Sequence, residues 1–259
     1  MSRSPSGHMG GRERPQGLRR AGRTCYAGPM KRLLILLLVV AAVTLIALAL
    51  AGVFRPRAPV AEVVVPGPPV VTIAVDAGHG GRDPGAVAGD VLEKEINLAI
   101  VRRLETLAAA HPELRVVLTR DVDISMTTED RIRCAGEAGA AVYVSIHTNA
   151  FDDPSVHGVE TWVDVRRADG DPVWTLAELV QDGVTASTGA RDRGLRSGEI
   201  YLQHAEMPAV SVEVGFLTNE EERARLLDSA YQERICRGIL DGVLAFLDLE
   251  EPDGGDETS

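Results

Sequence analysis

The chain has 259 residues, of which 45% are hydrophobic and 25% are charged, so it is long enough for one sizeable hydrophobic core. Its charge is divided unevenly: residues 1–57 carry a balance of +9 and residues 58–259 a balance of −20, which together give the net charge of −11. The acidic part argues against nucleic acid as a partner, because phosphate binding requires a basic face.

Three cysteines, Cys25, Cys134 and Cys236, occur without CxxC spacing. This spacing argues against a cysteine metal cluster and against a disulfide framework. Cys134 and Cys236 fall within predicted helices and are interpreted as buried free thiols, although the sequence leaves a disulfide between them open.

The first predicted element is an uncharged apolar run over residues 33–54. As a helix, these residues would extend about 33 Å, enough to cross the hydrocarbon core of a bilayer. The basic residues 1–32 precede the run, so the positive-inside rule predicts a cytoplasmic N-terminus and an exported remainder. Met30 offers an alternative start to the chain.

Two interpretations of residues 33–54 stay open. The run is either an uncleaved transmembrane anchor or the apolar part of a signal peptide cleaved after Ala49 or Ala51, where A-x-A patterns occur. We favour the anchor because the run is long for a signal peptide. Both interpretations place the rest of the chain in the cell envelope, facing the periplasm or extracytoplasmic space, or secreted if the signal is cleaved.

Residues 55–69 are rich in proline and predict a stiff, extended spacer. Residues 250–259 are acidic, contain glycine and proline, and predict a disordered tail. Residues 70–249 between them predict one catalytic domain.

Strands and helices alternate along this domain. The apolar patterns predict strands over residues 71–75, 115–119, 141–146, 158–163, 199–202 and 209–214, and helices over residues 92–110, 127–138, 174–187, 220–227 and 231–249. Such alternation predicts an α/β fold, a single domain with a mostly parallel central sheet flanked by helices on both faces.

Four polar side chains lie at or near the ends of these predicted elements: His79, His147 and Glu213 at predicted strands, and Glu93 in the first turn of the helix predicted over residues 92–110. Parallel sheets bind ligands at the carboxyl ends of their strands, and two histidines with one glutamate form a ligand set of hydrolytic zinc. Each residue alone has a structural alternative: a glycine-rich turn around His79, a helix-dipole carboxylate at Glu93, and a strand-end hydrogen bond at His147. Glu213 is harder to explain structurally, because an unpartnered carboxylate inside a buried strand is costly.

Four segments then appear in order along the chain: HGGRDPGA (residues 79–86), EKEINL (93–98), SIHTNA (145–150) and MPAVSVEVGFLTN (207–219). Together they resemble the zinc-dependent N-acetylmuramoyl-L-alanine amidases, in the branch of the cell-separation and sporulation enzymes, over residues 70–249. The resemblance implies hydrolysis of the amide between N-acetylmuramic acid and the L-alanine of the stem peptide, with peptidoglycan as substrate.

The same resemblance implies that His79, Glu93 and His147 bind one Zn²⁺ per domain and that Glu213 is the catalytic carboxylate. Glu95 is the alternative ligand. Asn149 is expected either to orient a ligand or to cap a loop. Three arginines are candidates for contacts to stem-peptide carboxylates or simply for solubility: Arg191, Arg193 and Arg196.

Two departures from the family pattern matter. Many relatives have Leu-Arg where this chain has Leu202 and Gln203, so a substrate contact from that arginine is in doubt. Residues 164–174 are too few for the helix that plugs the zinc cleft in some division amidases, so we expect an open cleft and no obligatory protein activator.

A stem-peptide carboxypeptidase and a non-catalytic wall-binding protein remain the alternative functions.

Overall fold

The computed structural model describes residues 29–53 and 70–249. The expectations for residues 1–28, for the spacer over residues 55–69 and for the tail over residues 250–259 lie outside the described residues. Helix α1 (Pro29–Val53) belongs to a unit of its own, separate from the unit that contains residues 70–249. By length and composition, its segment Lys31–Gly52 is able to cross a membrane, and a signal sequence would meet the same criterion.

The second unit alternates strands with helices. Its strands are β1 (Val71–Ala77), β2 (Val87–Ala88), β3 (Val91–Leu92), β4 (Leu114–Leu118), β5 (Val142–Asn149), β6 (Val159–Asp164), β7 (Asp192–Gly198) and β8 (Ala209–Phe216). Its helices are α2 (Glu93–Ala108), α3 (Thr128–Glu137), α4 (Pro172–Thr188), α5 (Glu220–Leu226) and α6 (Ser229–Phe246), with a 3-10 helix at Tyr201–His204.

Six strands form one sheet in the order β4-β1-β5-β8-β6-β7, and β2 and β3 form a separate two-stranded ribbon. Neighbouring strands in the large sheet are parallel except β6 and β8, which are antiparallel. The mostly parallel α/β sheet predicted from the sequence is therefore confirmed.

Side chains of the central strands alternate between two different faces. One face is apolar and packs against α2, α4 and α6 in the main core; it includes Val142, Val144, Ile146, Val210, Val212 and Val214. The other face is largely polar; it includes Asp76, Ser145, His147, Glu160, Ser211 and Glu213. Helix α3 and the 3-10 helix cover part of this polar face through a smaller apolar cluster.

The strand predicted over residues 199–202 was wrong, because the 3-10 helix begins at Tyr201 and residues 199 and 200 belong to no strand. The sequence analysis also missed strand β7, which ends just before them at Gly198. Strand β7 has the sequence DRGLRSG, in which one apolar residue and two glycines give no alternating pattern. It forms because β6 offers it a parallel edge, which is a tertiary cause that the local sequence does not show.

Candidate metal centre

Three ligand-type side chains from distant parts of the chain converge at one end of the sheet. The nearest ligand atoms of His79, Glu93 and His147 all lie within 4.8 Å of one another. Glu93 Oε1 is 3.2 Å from His79 Nε2 and 3.0 Å from His147 Nδ1. The two imidazole rings meet edge to face with centroids 5.0 Å apart. The fold therefore builds a two-histidine, one-carboxylate cluster from a loop, a helix start and a strand end.

His79 follows β1 and has a positive φ of 62°, a backbone conformation that residues other than glycine rarely adopt. Two buried arginines hold the loop that contains it. Arg131 donates to the carbonyl oxygens of Ala77 and His79 at 2.7 and 2.6 Å, and Arg120 donates to those of Ala77 and Gly78 at 2.8 and 2.9 Å. These bonds offset the backbone strain and fix the direction of the imidazole.

Glu93 reaches His79 because the β2–β3 ribbon folds the intervening chain back on itself. The backbone N–H of Glu93 donates to the carbonyl of Ala86 at 3.0 Å, and the N–H of Ala86 donates to Glu93 Oε2 at 2.7 Å. Oε1 accepts from the backbone N–H of Thr148 at 3.0 Å and from Asn97 Nδ2 at 3.2 Å. The carboxylate is thus held at both oxygens, with Oε1 facing the histidines.

Asp83 orients the first histidine. Its Oδ2 lies 2.7 Å from His79 Nδ1 and accepts the Nδ1 proton, which leaves Nε2 as the nitrogen that faces Glu93 and is available to bind a metal. Carboxylate–histidine pairs of this kind fix the tautomer and ring orientation of metal-binding histidines.

The three side chains of the cluster shift one another's pKa values. Burial opposes ionisation of Glu93, but hydrogen bonds from His147 and His79 outweigh it and hold the pKa of Glu93 well below its usual range. The hydrogen bond to Glu93 raises the pKa of His79 to about 9. Burial disfavours the cationic form of His147, yet Glu93 and Glu213 raise its pKa overall. The site therefore favours positive charge beside Glu93, either as protons or as a cation.

Glu213 lies opposite His147 in the register of β8 with β5. Among the described residues, its Oε2 is the buried side-chain oxygen that has no hydrogen-bond partner. Burial raises the pKa of Glu213 to about 7, with a smaller contribution from repulsion by Glu93 and Glu160. An unpartnered buried carboxylate beside the candidate ligand His147 indicates a group reserved for a ligand or a reaction.

The donor set fits a zinc ion. Two imidazole nitrogens and one carboxylate oxygen make the ligand set of hydrolytic zinc sites, which keep one coordination position for water. Surrounding hydrogen bonds hold two of the three candidate ligands, His79 and Glu93, in place. The alternative ligand Glu95 is exposed and does not join the cluster.

Glu160 was missed in the sequence analysis, although it is buried and lies opposite Glu213 on β6. It accepts hydrogen bonds from Asn149 Nδ2 at 3.1 Å, Trp162 Nε1 at 3.2 Å and Arg193 Nε at 2.8 Å. The sequence did carry a signal for it, because Glu160 is a charged residue at an interior position of the strand predicted over residues 158–163. Asn149 therefore pairs with Glu160, in addition to accepting from the backbone N–H of Ala150.

Two of the three candidate arginines are committed to the same carboxylate. Arg193 and Arg196 both lie within salt-bridge distance of Glu160 Oε2, at 2.8 and 3.4 Å. Arg191 is exposed and lines a different cavity with His157 and Arg225. Cys134 and Cys236 are free thiols and form no disulfide, and Cys236 is buried as expected, whereas Cys134 is only half-buried.

Comparisons with known proteins agree with this geometry. Residues 73–245 match the family model described as N-acetylmuramoyl-L-alanine amidase. The chain is 36% identical to N-acetylmuramoyl-L-alanine amidase LytC of Bacillus subtilis over 181 residues, which are 69% of this chain and 36% of LytC. The match thus spans about a third of the length of LytC.

Solved structures show the same fold. The catalytic domain of the amidase CwlV from Bacillus (Paenibacillus) polymyxa superposes with a TM-score of 0.66 at 35% identity, covering 70% of this chain and 100% of that one. The CwlD amidase from Clostridioides difficile, solved in complex with the GerS lipoprotein, superposes with a TM-score of 0.62 at 30% identity, covering 70% and 100%.

Proposed function

The chain belongs to the N-acetylmuramoyl-L-alanine amidase family, and we propose that it is a zinc-dependent peptidoglycan hydrolase. Its reaction is hydrolysis of the amide between the lactyl group of N-acetylmuramic acid and the L-alanine of the stem peptide. The observation that carries this proposal is the convergence of His79, Glu93 and His147 beside the unpartnered carboxylate of Glu213.

His79, Glu93 and His147 would hold one zinc ion per domain. When bound, zinc lowers the pKa of a water towards neutrality and polarises a carbonyl oxygen. Asp83 keeps the His79 proton on Nδ1, and Ala86, Asn97 and Thr148 keep the Glu93 carboxylate in place. These contacts orient His79 and Glu93 before metal arrives, so these two ligands need little reorganisation on binding.

Glu213 transfers the proton in this mechanism. Its free Oε2 accepts a proton from the attacking water and then delivers it to the leaving nitrogen of L-alanine. In the metal-free protein, burial raises the pKa of Glu213 to about 7, and burial favours a carboxyl that can both accept and release a proton near neutral pH. Glu160 lies on the neighbouring strand and is already bonded to Asn149, Trp162 and Arg193, so Glu213 is the carboxylate left for chemistry.

The chain divides into five segments in this proposal. We propose a basic cytoplasmic segment (1–32), an anchor or signal segment (33–54), a spacer (55–69), the catalytic domain (70–249) and an acidic tail (250–259). The apolar helix α1 supports export to the cell envelope, where peptidoglycan is the substrate. Nucleic acid is not a proposed partner.

No protein activator is required in this proposal. Residues 165–171 connect β6 directly to α4, and within residues 70–249 no helix lies between these two elements. On the face of the sheet that presents His147 and Glu213, the covering elements within residues 70–249 are α3 and the 3-10 helix. Substrate therefore reaches the cleft without displacement of a plug.

The test is digestion of peptidoglycan by the full chain in detergent, with and without a zinc chelator, followed by mass spectrometry of the soluble products. We expect zinc-dependent release of intact stem peptides with a free N-terminal L-alanine. Stem peptides shortened from the carboxyl end would indicate a carboxypeptidase instead. A chain that binds peptidoglycan and releases nothing would be a wall-binding protein.

A further inference from the structure

Strand β7 contains a bulge where it faces β6. One residue of β6, Glu160, is opposed there by two residues of β7, Arg193 and Gly194. Gly194 has a positive φ of 77°, which allows the strand to bend at this point. In a regular strand, residues three positions apart point to opposite faces of the sheet. The extra residue of the bulge therefore turns Arg193 and Arg196 to the same face, the one that also presents Glu213.

Both arginines are held at one end by the same buried carboxylate. The Nε atoms of Arg193 and Arg196 lie 2.8 and 3.4 Å from Glu160 Oε2. The other oxygen, Oε1, accepts from Asn149 and Trp162, so both oxygens of the carboxylate are occupied. Among the described residues, none accepts a hydrogen bond from the Nη atoms of either arginine. The two side chains are 22% and 42% exposed, so these atoms are accessible to a ligand.

This cluster has a surplus of positive charge. Two guanidinium groups, which are always cationic, face one carboxylate, although residues 58–259 as a whole have a balance of −20. The two guanidinium groups repel each other, so the cluster is more stable when a second anion joins it. The uncommitted Nη atoms offer N–H donors in the planar fork that matches a carboxylate. The exposed ends of the two arginines therefore form a site for a carboxylate.

The distance from Glu213 decides which carboxylate reaches this site. Neighbouring strands lie about 4.8 Å apart, so β7, two strands away from β8, is about 10 Å from Glu213. A general acid lies within about 3 Å of the nitrogen that it protonates. Beyond that nitrogen, an extended peptide advances at most about 3.6 Å per residue, so the second stem-peptide residue ends about 10 Å from Glu213 as well.

We propose that Arg193 and Arg196 bind a carboxylate on the second residue of the stem peptide, so that the enzyme prefers substrates in which this group is free over substrates in which it is an amide. The inference rests on the proposed amidase function and adds a determinant of its substrate. Glu160 is a positioning residue in this site, because it holds both Nε atoms and leaves the Nη atoms for the ligand.

The test compares two synthetic muramoyl dipeptides that differ only at the second residue, which ends in an α-carboxylate in one and in the α-carboxamide in the other. The full chain in detergent with zinc is assayed for kcat/KM on each, and the acid-to-amide ratio is the readout. Hydrogen bonds to charged groups exceed neutral ones by about a factor of ten in binding, so we expect the wild type to favour the acid at least about tenfold.

Two substitutions of Arg196 separate its charge from its geometry. We expect Arg196→Gln to lower the acid-to-amide ratio about tenfold, while Arg193 still neutralises Glu160 and preserves the fold. Arg196→Lys keeps the positive charge but loses the planar fork, so its ratio should fall between those of the wild type and Arg196→Gln.

Arg166→Gln is the matched control. Arg166 is similarly exposed and lies 3.9 Å from the carboxylates of Asp164 and Glu199, but it follows the end of β6 that is remote from Glu160. Its substitution is expected to leave the ratio unchanged, and a general loss of stability lowers both kcat/KM values together.

The outcomes distinguish this site from the function on which it rests. Equal kcat/KM on acid and amide in an active wild type would overturn the carboxylate site alone, as would an unchanged ratio in active Arg196→Gln. A wild type that cleaves neither dipeptide would overturn the amidase function and this inference with it.

Discussion

Gly78 lies against the imidazole ring of His147. A Cβ atom at position 78 would be 2.3 Å from Cε1 and 2.4 Å from Nε2 of that ring, which is closer than real side-chain atoms approach. Gly85 is similarly restricted, since a Cβ there would be 2.5 Å from Glu93 Oε2 and 2.7 Å from His79 Cδ2. These two glycines allow the loop after β1 to close over all three proposed ligands.

Gly78→Ala is therefore expected to displace His147 from the cluster. We expect zinc affinity to fall at least about 10–100-fold, the range seen when contacts that orient a metal ligand are lost. The measurement is competition with a chromophoric chelator. Gly136→Ala is the control, because a Cβ at Gly136 in α3 meets nothing within 4 Å. Equal zinc affinity in the two variants would show that the close packing of Gly78 is irrelevant to the site.

Asp83→Asn tests the orientation of His79. An amide in place of the carboxylate loses the charge-assisted hydrogen bond to Nδ1, so a zinc affinity about 10–100-fold lower is expected. Asp90→Asn is the matched control, since Asp90 is exposed in the turn between β2 and β3. Calorimetric titration with zinc measures both variants, and an unaltered affinity in Asp83→Asn would contradict the assigned role.

Glu213 is expected to destabilise the metal-free protein at neutral pH. Its pKa is raised on folding from 4.5 to about 7, so the folded state binds its proton more tightly than the unfolded state does. The resulting loss of stability is absent below pH 4.5, grows as the pH rises through this window, and is complete above pH 7. Its size is on the order of 3 kcal/mol, the free-energy equivalent of the pKa change.

The Glu213→Gln variant has no titrating carboxyl at this position, so its stability should lack this pH-dependent loss. We expect the free energy of unfolding of the metal-free variant, relative to that of the metal-free wild type, to rise between pH 4.5 and 8. Urea denaturation of both proteins at several pH values measures the difference. A constant difference across this range would mean that the carboxyl titrates normally in the folded protein.

Within residues 70–249 no helix lies between β6 and α4 that could plug the cleft. We therefore expect the protein to be active without an added activator protein. The purified full chain in detergent should reach its full rate on peptidoglycan alone. The relevant comparison is the rate before and after adding envelope lipoproteins, since CwlD from Clostridioides difficile was solved with the GerS lipoprotein. A large increase in rate would show that this chain depends on an activator.

Much of this site could be predicted because its residues interrupt strong local patterns. His147 and Glu213 sit within otherwise apolar strands, and His79 follows such a strand in a glycine-rich turn. The parallel arrangement of the strands brings their carboxyl ends together, which is a property of the whole sheet. That shared edge is why residues as distant as 79 and 213 were expected to meet.

The walls of the site could not be predicted in the same way. Strand β7 has no apolar alternation and exists because β6 pairs with it. Its arginines were therefore interpreted as loop residues, whereas Arg193 and Arg196 neutralise the buried Glu160 on the neighbouring strand. The 3-10 turn that follows β7 brings Ile200 to the cavity that Trp162 and Glu213 line, and local sequence carries no signal for that contact.

The central claim is that His79, Glu93 and His147 hold zinc while Glu213 transfers the proton. The most direct measurement is zinc content and peptidoglycan turnover on the same preparations of the wild type and of Glu213→Gln. We predict one zinc per chain in both, with turnover about 10²–10⁴-fold lower in the variant, which is the contribution of a positioned general acid or base. Near-normal turnover in zinc-loaded Glu213→Gln would contradict the account.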